Sequence, residues 1–239
     1  MAKPKSVETG VEGLDGILGG GIPEKNQVLL AGGPGTGKTL LGFEMLYNCA
    51  KRGTPCGFIA LDERSDNIIR NMKSTFTYMN DIDELIRKKM LIIDGDDSAN
   101  KIATNTSEES GYSMGNLMSE VEGIIKTINA EVVVVDSLSF LKLMLGKTLL
   151  YNKTVSSIIS NLRRLNVTGL ITLEIPYYQR SRVKFSQELL LFDGVMALYH
   201  TEDNGKDENI MQVVKMRGTS HSDTLSEFSI TQAGIKFKP

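Results

Sequence analysis

The densest chemistry in the sequence is the run Gly32-Gly33-Pro34-Gly35-Thr36-Gly37-Lys38-Thr39, directly after the apolar stretch Gln27 to Ala31 and directly before a helix-like stretch from Leu40 to Lys51. Glycines at these positions let the backbone wrap closely around oxyanions, so that successive amides and the N-terminus of the following helix point at phosphates. Lys38 then neutralises β- and γ-phosphate charge, and the Thr39 hydroxyl is a ligand for Mg²⁺. A glycine-rich turn before a helix is the competing reading, but all the fixed positions and both flanks match a Walker A phosphate loop. Gly33 to Leu40 are therefore the expected phosphate-binding set, and Lys38 serves catalysis as well. The residues imply nucleoside triphosphate binding.

Hydrolysis asks for more than a cradle: a carboxylate to position metal and a base to orient and deprotonate water. Val132-Val-Val-Val-Asp136-Ser137 is an apolar strand ending in a carboxylate, the Walker B arrangement, and assigns Asp136 to Mg²⁺ together with Thr39. A strand-terminating turn aspartate is the alternative. The strand Phe58 to Leu61 also ends in acids, Asp62 and Glu63, and a strand next to the phosphate-loop strand would present them at the same sheet edge. Glu63 is the expected general base, with Asp62 assisting. Acids before Ser65-Asp-Asn-Ile-Ile could instead complement the positive start of a helix. Glu174, after Leu170 to Leu173, is a further acid at that edge, suited either to sensing a γ-phosphate or to a structural hydrogen bond.

These groups need a frame that delivers them together. Further apolar runs occur at Cys56 to Leu61, Met90 to Ile93, Val132 to Val135, Leu170 to Leu173 and Gly194 to Tyr199. Between several of them lie helical patterns: Ile68, Ile69 and Met72; Leu117, Val121, Ile124, Ile125 and Ile128; Val155, Ile158, Ile159, Leu162 and Leu165. Strand–helix alternation with uninterrupted Val/Ile/Leu runs predicts an α/β fold with a mostly parallel central sheet covered by helices on both faces. Right-handed crossovers then align the loops after the strands along one edge. Met211 to Met216, Leu225 to Ile230 and Gly234 to Phe237 read as antiparallel strands closing the sheet. Asp94 to Gly115 is polar, aperiodic and reads as a long surface loop, mobile or partner-binding.

A chain of 239 residues is ordinary for one large α/β domain, and one domain over 1–239 is expected. With 27 basic and 29 acidic residues, the formal charge of −2 shows no global positive field for nucleic acid or anionic membrane. No apolar segment has the length of a membrane span, and MAKPKSVETG lacks the apolar core of a signal peptide, so a cytoplasmic protein without membrane partners is expected. Cys49 and Cys56 have no Cys/His companions at metal-ligand spacing and are expected to be buried, reduced thiols.

The motif order resembles one family. Thr9-Gly-Val-Glu-Gly-Leu-Asp-Gly-Ile-Leu-Gly-Gly-Gly-Ile-Pro, GGPGTGKT, Leu61-Asp-Glu, Val-Val-Val-Val-Asp136-Ser and Lys215-Met216-Arg217-Gly-Thr219-Ser-His221 are similar to the KaiC-like branch of the RecA-type ATPases, over almost the whole chain. The resemblance implies a RecA-like P-loop NTPase fold, ATP with Mg²⁺, and assembly as a homo-oligomer, a hexameric ring or a filament, with ATP between subunits. It also implies that Lys215, Met216 and Arg217, with Thr219 and His221 close by, reach a neighbour's nucleotide; cations arriving in this way stabilise phosphoryl-transfer charge as arginine fingers do. The clock proteins of this family carry two such domains and a pair of glutamates where this chain has Asp62 and Glu63. Registered on Asp193, their phosphorylated Ser/Thr pair falls on Leu189 and Leu190, so the resemblance does not carry autophosphorylation here.

Three function classes compete. The first is a slow Mg²⁺-dependent ATPase that couples nucleotide state to assembly or to a protein partner. The second is a nucleotide-binding scaffold in which turnover matters little. The third is a recombination accessory protein binding single-stranded DNA through Lys142, Lys147, Arg180, Arg182 and Lys184 with Tyr177 and Tyr178, which offer stacking faces and phosphate contacts together. A solvated loop or a subunit contact explains the same residues.

Overall fold

The computed structural model describes residues 4–95, 114–146, 148–175, 187–203 and 206–238. Its strands are β1 (Ser6–Val7), β2 (Ile22–Pro23), β3 (Gln27–Gly32), β4 (Cys56–Ala60), β5 (Leu91–Asp94), β6 (Val132–Asp136), β7 (Thr168–Glu174), β8 (Gly194–Asp203), β9 (Lys206–Met216), β10 (Ser226–Thr231) and β11 (Gly234–Phe237). The helices are α1 (Leu14–Ile17), α2 (Lys38–Lys51), α3 (Ser65–Thr75), α4 (Ile82–Arg87), α5 (Met114–Ile128), α6 (Leu138–Leu145) and α7 (Thr148–Arg164), with a 3₁₀ turn at Gln187–Leu191. β1 and β2 pair with each other; the other nine strands form one sheet in the order β11-β10-β9-β8-β3-β7-β6-β4-β5. Strands β3 to β8 run parallel, and β9, β10 and β11 close one side in antiparallel fashion.

The reason is visible in β6. Val132 and Val134 point into one core with side chains of α2, α3 and α4, whereas Val133 and Val135 point into a second core with α5, α6 and α7. A strand alternates its side chains across the sheet, so burial on both faces requires an unbroken apolar run. Cys49 and Cys56 are free and buried, in line with their sequence reading. No helix among the described residues is long and apolar enough to cross a membrane.

One expectation is corrected. β4, which leads to Asp62 and Glu63, is not beside the phosphate-loop strand; β7 and β6 stand between β4 and β3. The acids still reach the same edge because every parallel strand delivers its carboxyl end there, whatever the order across the sheet. The neighbours of β3 come from much later in the chain, a choice that local sequence does not encode. Of the polar stretch read as a loop, Asp94 closes β5 and Met114–Gly115 open α5, while residues 96–113 lie outside the described residues.

Candidate active site

The cradle is built by conformation. Gly35 and Gly37 adopt φ of +75° and +89°, a region that costs side-chain-bearing residues strain. At Gly37 the positive φ is the constraint; a Cβ there would lie 2.7 Å from Ile230 Cδ1, the end of a side chain that can move aside. Thr36 is buried and its hydroxyl donates to the Gly33 carbonyl at 2.8 Å, tightening the loop, while Pro34 and Gly35 stay exposed. Lys38 opens α2, whose first turn contains no acid, so nothing there opposes an anion at the helix N-terminus. Leu40 packs against the core and fixes how this first turn sits.

Lys38 Nζ donates to the Gly33 carbonyl at 2.7 Å, which folds the ammonium over the loop. Burial lowers its pKa, and the charges of Glu174 and Asp136 push the other way. The Thr39 hydroxyl donates to Asp136 Oδ2 at 2.7 Å, joining the two candidate metal ligands directly. The Thr172 hydroxyl donates to Asp136 Oδ1. Thr172 was not singled out from sequence; its signal was a hydroxyl inside the apolar run of β7, where an unpaired polar group is costly and so wants a partner.

Lys38, Thr39, Asp62, Glu63, Asp136 and Glu174 all line one cleft of about 390 Å³. Burial, followed by the charges of Asp136 and Glu63, pushes the Asp62 carboxyl up to about 6. Burial and Asp136 also raise Glu63, opposed by Arg70 and by a 3.0 Å hydrogen bond from the Asn71 side-chain amide. Carboxyls raised by burial and by a neighbouring negative charge gain from an arriving cation, and a carboxyl poised nearer neutrality is suited to accept a proton. Glu174 ends β7 directly opposite Gly32, so it is the acid on the strand adjoining the phosphate loop; its side chain is exposed and its N–H donates to Ser139 Oγ at 2.7 Å.

The segment Lys215 to His221 lies elsewhere. Lys215 pairs with Val195, and Val195 with Leu29, which puts it near the amino end of the parallel strands, opposite the phosphate-loop edge. Lys215 Nζ donates to the Phe192 carbonyl at 2.8 Å, and the Arg217 guanidinium sits 3.6 Å from Asp193. Burial lowers the Lys215 pKa, helped by the nearby Arg217 charge. Met216 is buried and anchors the strand end. The Thr219 hydroxyl reaches the Leu18 carbonyl at 3.5 Å, and His221 Nδ1 lies 3.1 Å from the Ser222 carbonyl. The fold therefore does not bring these five residues to the chain's own phosphate loop. Of the residues considered for DNA, Lys142 sits over the Tyr151 ring at 5.6 Å, and Lys147, Tyr177, Tyr178, Arg180, Arg182 and Lys184 lie outside the described residues.

Comparison with known proteins matches this architecture to one family. The family model described as "ATPase: KaiC" covers residues 7–239. A UPF0273 protein of Aeropyrum pernix is 32% identical, over 98% of this chain and 93% of the relative, and one of Pyrococcus horikoshii is 35% identical, over 98% and 94%. The circadian clock oscillator protein KaiC of a Picosynechococcus species is 27% identical across 98% of this chain, which spans 45% of that protein. A crystal structure of a KaiC-like protein from Pyrococcus horikoshii superposes with a TM-score of 0.83 at 28% identity, covering 99% of this chain and 100% of the other. The chain therefore belongs to the KaiC family of ATPases, ATP-binding proteins of the RecA type.

Proposed function

We propose that this chain is a Mg²⁺-dependent ATP hydrolase, one domain over residues 1–239, that works in the cytoplasm as a homo-oligomer with ATP between subunits and couples nucleotide state to a protein partner. One observation carries the reading: the phosphate loop, the Thr39–Asp136 pair and the acids Asp62 and Glu63 converge on a single cleft. The loop amides and Lys38 hold the phosphates. Thr39 and Asp136 fit Mg²⁺, because hard oxygen donors at the mouth of an anion cradle suit that ion. Bound there, Mg²⁺ supplies charge that neutralises the β- and γ-oxygens.

Glu63 accepts the proton of the attacking water while Asn71 holds its other oxygen, and burial with the negative charge of Asp136 makes Glu63 a better base; Asp62, beside it in the cleft, assists by orienting the water. The water oxygen bonds to the γ-phosphorus as the bond to the β–γ bridging oxygen breaks, and ADP carries away the electron pair. Lys215 and Arg217 serve the site of the next subunit, with Thr219 and His221 shaping the turn that presents them. Their position at the far sheet edge, away from the chain's own phosphate loop, supports this.

The test is phosphate release from Mg-ATP by the native chain and by Glu63→Gln, with ATP binding measured on both. Turnover lost in the variant with binding kept supports the reading. Equal turnover in the two would remove Glu63 from the chemistry, and ATP binding without turnover in the native chain would leave a nucleotide-regulated scaffold.

A further inference from the structure

A second cavity, of about 380 Å³, opens beside α2 and shares no lining residue with the nucleotide cleft. Glu44 and Asn48 of α2, Tyr78, the Gly10 to Glu12 segment and the β10–β11 hairpin contribute its walls. One of these groups is a buried acid. Glu44 is 4% exposed; its Oε1 accepts the Tyr78 hydroxyl at 2.7 Å and its Oε2 the Ile235 N–H at 2.9 Å. Among the described residues no lysine, arginine or histidine pairs with it, and the lysine that lines the same cavity, Lys236, is already held by Glu12. Burial pushes the Glu44 carboxyl up, opposed by its two hydrogen bonds. A buried carboxylate without a countercharge is costly, because hydrogen bonds replace only part of its lost hydration.

The missing countercharge defines the ligand. The cavity is lined by two carboxylates, Glu12 and Glu44, against the single ammonium of Lys236, so it favours a cation. A metal ion is a poor match: no group of three or more His, Cys, Asp or Glu side chains able to hold one occurs among the described residues, and hard cations ask for several oxygen ligands at once. An organic cation fits better. Its N–H groups meet the carboxylate lone pairs that Tyr78 and Ile235 leave open, in charge-assisted hydrogen bonds. The Tyr78 ring offers an aromatic surface to its carbon chain. At Gly234 a Cβ would lie 2.5 Å from Glu44 Oε1, so the hairpin brings no side chain of its own against the carboxylate there. The volume lies at the low end of small-molecule sites, and the exposed Glu12–Lys236 pair offers charges for a second polar end.

We propose that this cavity is a binding site for a small aliphatic cation, an alkylammonium or alkylguanidinium, whose head pairs with Glu44 and whose far end meets the Glu12–Lys236 pair. Glu44 stands six residues beyond Lys38 on α2, about 9 Å along the helix axis, so the site is separate from the phosphates. A cation bound there bridges α2 and the β10–β11 hairpin, the same two elements that meet at Gly37 and Ile230. It braces the helix that carries the phosphate loop without entering the nucleotide cleft. The inference rests on the cavity and its buried acid and not on ATP turnover.

The experiment titrates the native chain with agmatine, which has a guanidinium head and an ammonium tail, by calorimetry at fixed ionic strength, with n-butanol as the uncharged control. Glu44→Gln and Ser229→Tyr are titrated alongside, the second adding bulk to the cavity from β10, and thermal unfolding is measured on each. The expected result is saturable binding of agmatine and none of butanol, weakened about tenfold or more in both variants. Agmatine affinity should be unchanged when Mg-ATP is present, because the two cavities share no residue. If Glu44→Gln unfolds early, the loss in Ser229→Tyr decides. The inference is overturned if the native chain binds no agmatine at about 10 mM, or if native and folded variant chains bind it equally. Displacement of agmatine by Mg-ATP would also overturn it, by giving the cavity to the nucleotide.

Discussion

The two edges of the parallel sheet use the same residue types to opposite ends. At the carboxyl edge burial raises the carboxyls of Asp62 and Glu63, and the nearby charge of Asp136 raises both further. At the amino edge Asp193, with only 15% of its side chain exposed, accepts hydrogen bonds at 3.0 Å from Arg163 and from the Gln27 N–H, and the N–H of Arg217 bonds its carbonyl at 2.9 Å. One edge crowds like charges around an open cleft, and the other neutralises its acid within the fold. The difference separates function from architecture: acids arranged against stability serve chemistry, whereas acids arranged for stability hold elements together.

The comparison breaks first if the amino edge proves irrelevant to turnover. Arg217→Ala should lower phosphate release by about 10³-fold, in the range of lost arginine fingers. Mixing it with Lys38→Ala, itself inactive, should restore part of the rate, because a mixed interface pairs an intact loop with an intact arginine; no recovery in steady-state assays would argue against action in trans. Next, Glu63→Gln should cost about 10²-fold or more in turnover while nucleotide affinity stays within a few-fold.

Stability sharpens the contrast because the two edges should respond with opposite sign. Asp193→Ala removes a partly buried partner of Arg163 and leaves the Gln27 N–H without its acceptor, so it should destabilise by about 2 kcal/mol in denaturant unfolding. Asp62→Asn should do the reverse. A carboxyl whose folded pKa of about 6 exceeds its ordinary value of 3.8 makes ionisation costly in the folded state, so the stability it permits is present at low pH and is lost as pH rises through about 6. Removing the charge should raise the melting temperature at pH 8 by about 2–4 °C, with little change at pH 4. The smallest effect is on the pH profile: activity should fall as pH drops and the raised Glu63 carboxyl protonates, and a rate–pH profile without an acid limb would argue against Glu63 as the base.

Legibility followed how local each signal was. The tight turn before α2 was readable, because the glycines that allow the positive φ of Gly35 and Gly37 are encoded within eight residues. Asp136 was readable from the apolar run before it. The acids after β4 were found, but their strand was given the wrong neighbour, since the pairing of β3 with β7 and β8 depends on residues far along the chain. The Asp193 network escaped for the same reason: Arg163 and Gln27 are remote from it in sequence. The turn between α6 and α7 escaped differently. Leu143, Met144, Leu149 and Leu150 look like core residues, and nothing local distinguishes an apolar side chain that packs inward from one that stays exposed, as these four do.

The helix that begins at Lys38 has a further attachment. Glu44, buried on α2, accepts the Ile235 N–H at 2.9 Å and the Tyr78 hydroxyl at 2.7 Å, and Ile230 closes over Gly37. Glu44 and Ile235 are 191 residues apart. At ribosomal speeds of about 5–20 residues per second, roughly 10–40 s pass between the synthesis of this helix and the arrival of its clasp. On a nascent chain, then, the nucleotide cradle takes its finished form only as the last hairpin is delivered, so a truncated product lacking that hairpin should emerge with its phosphate loop present but unbraced.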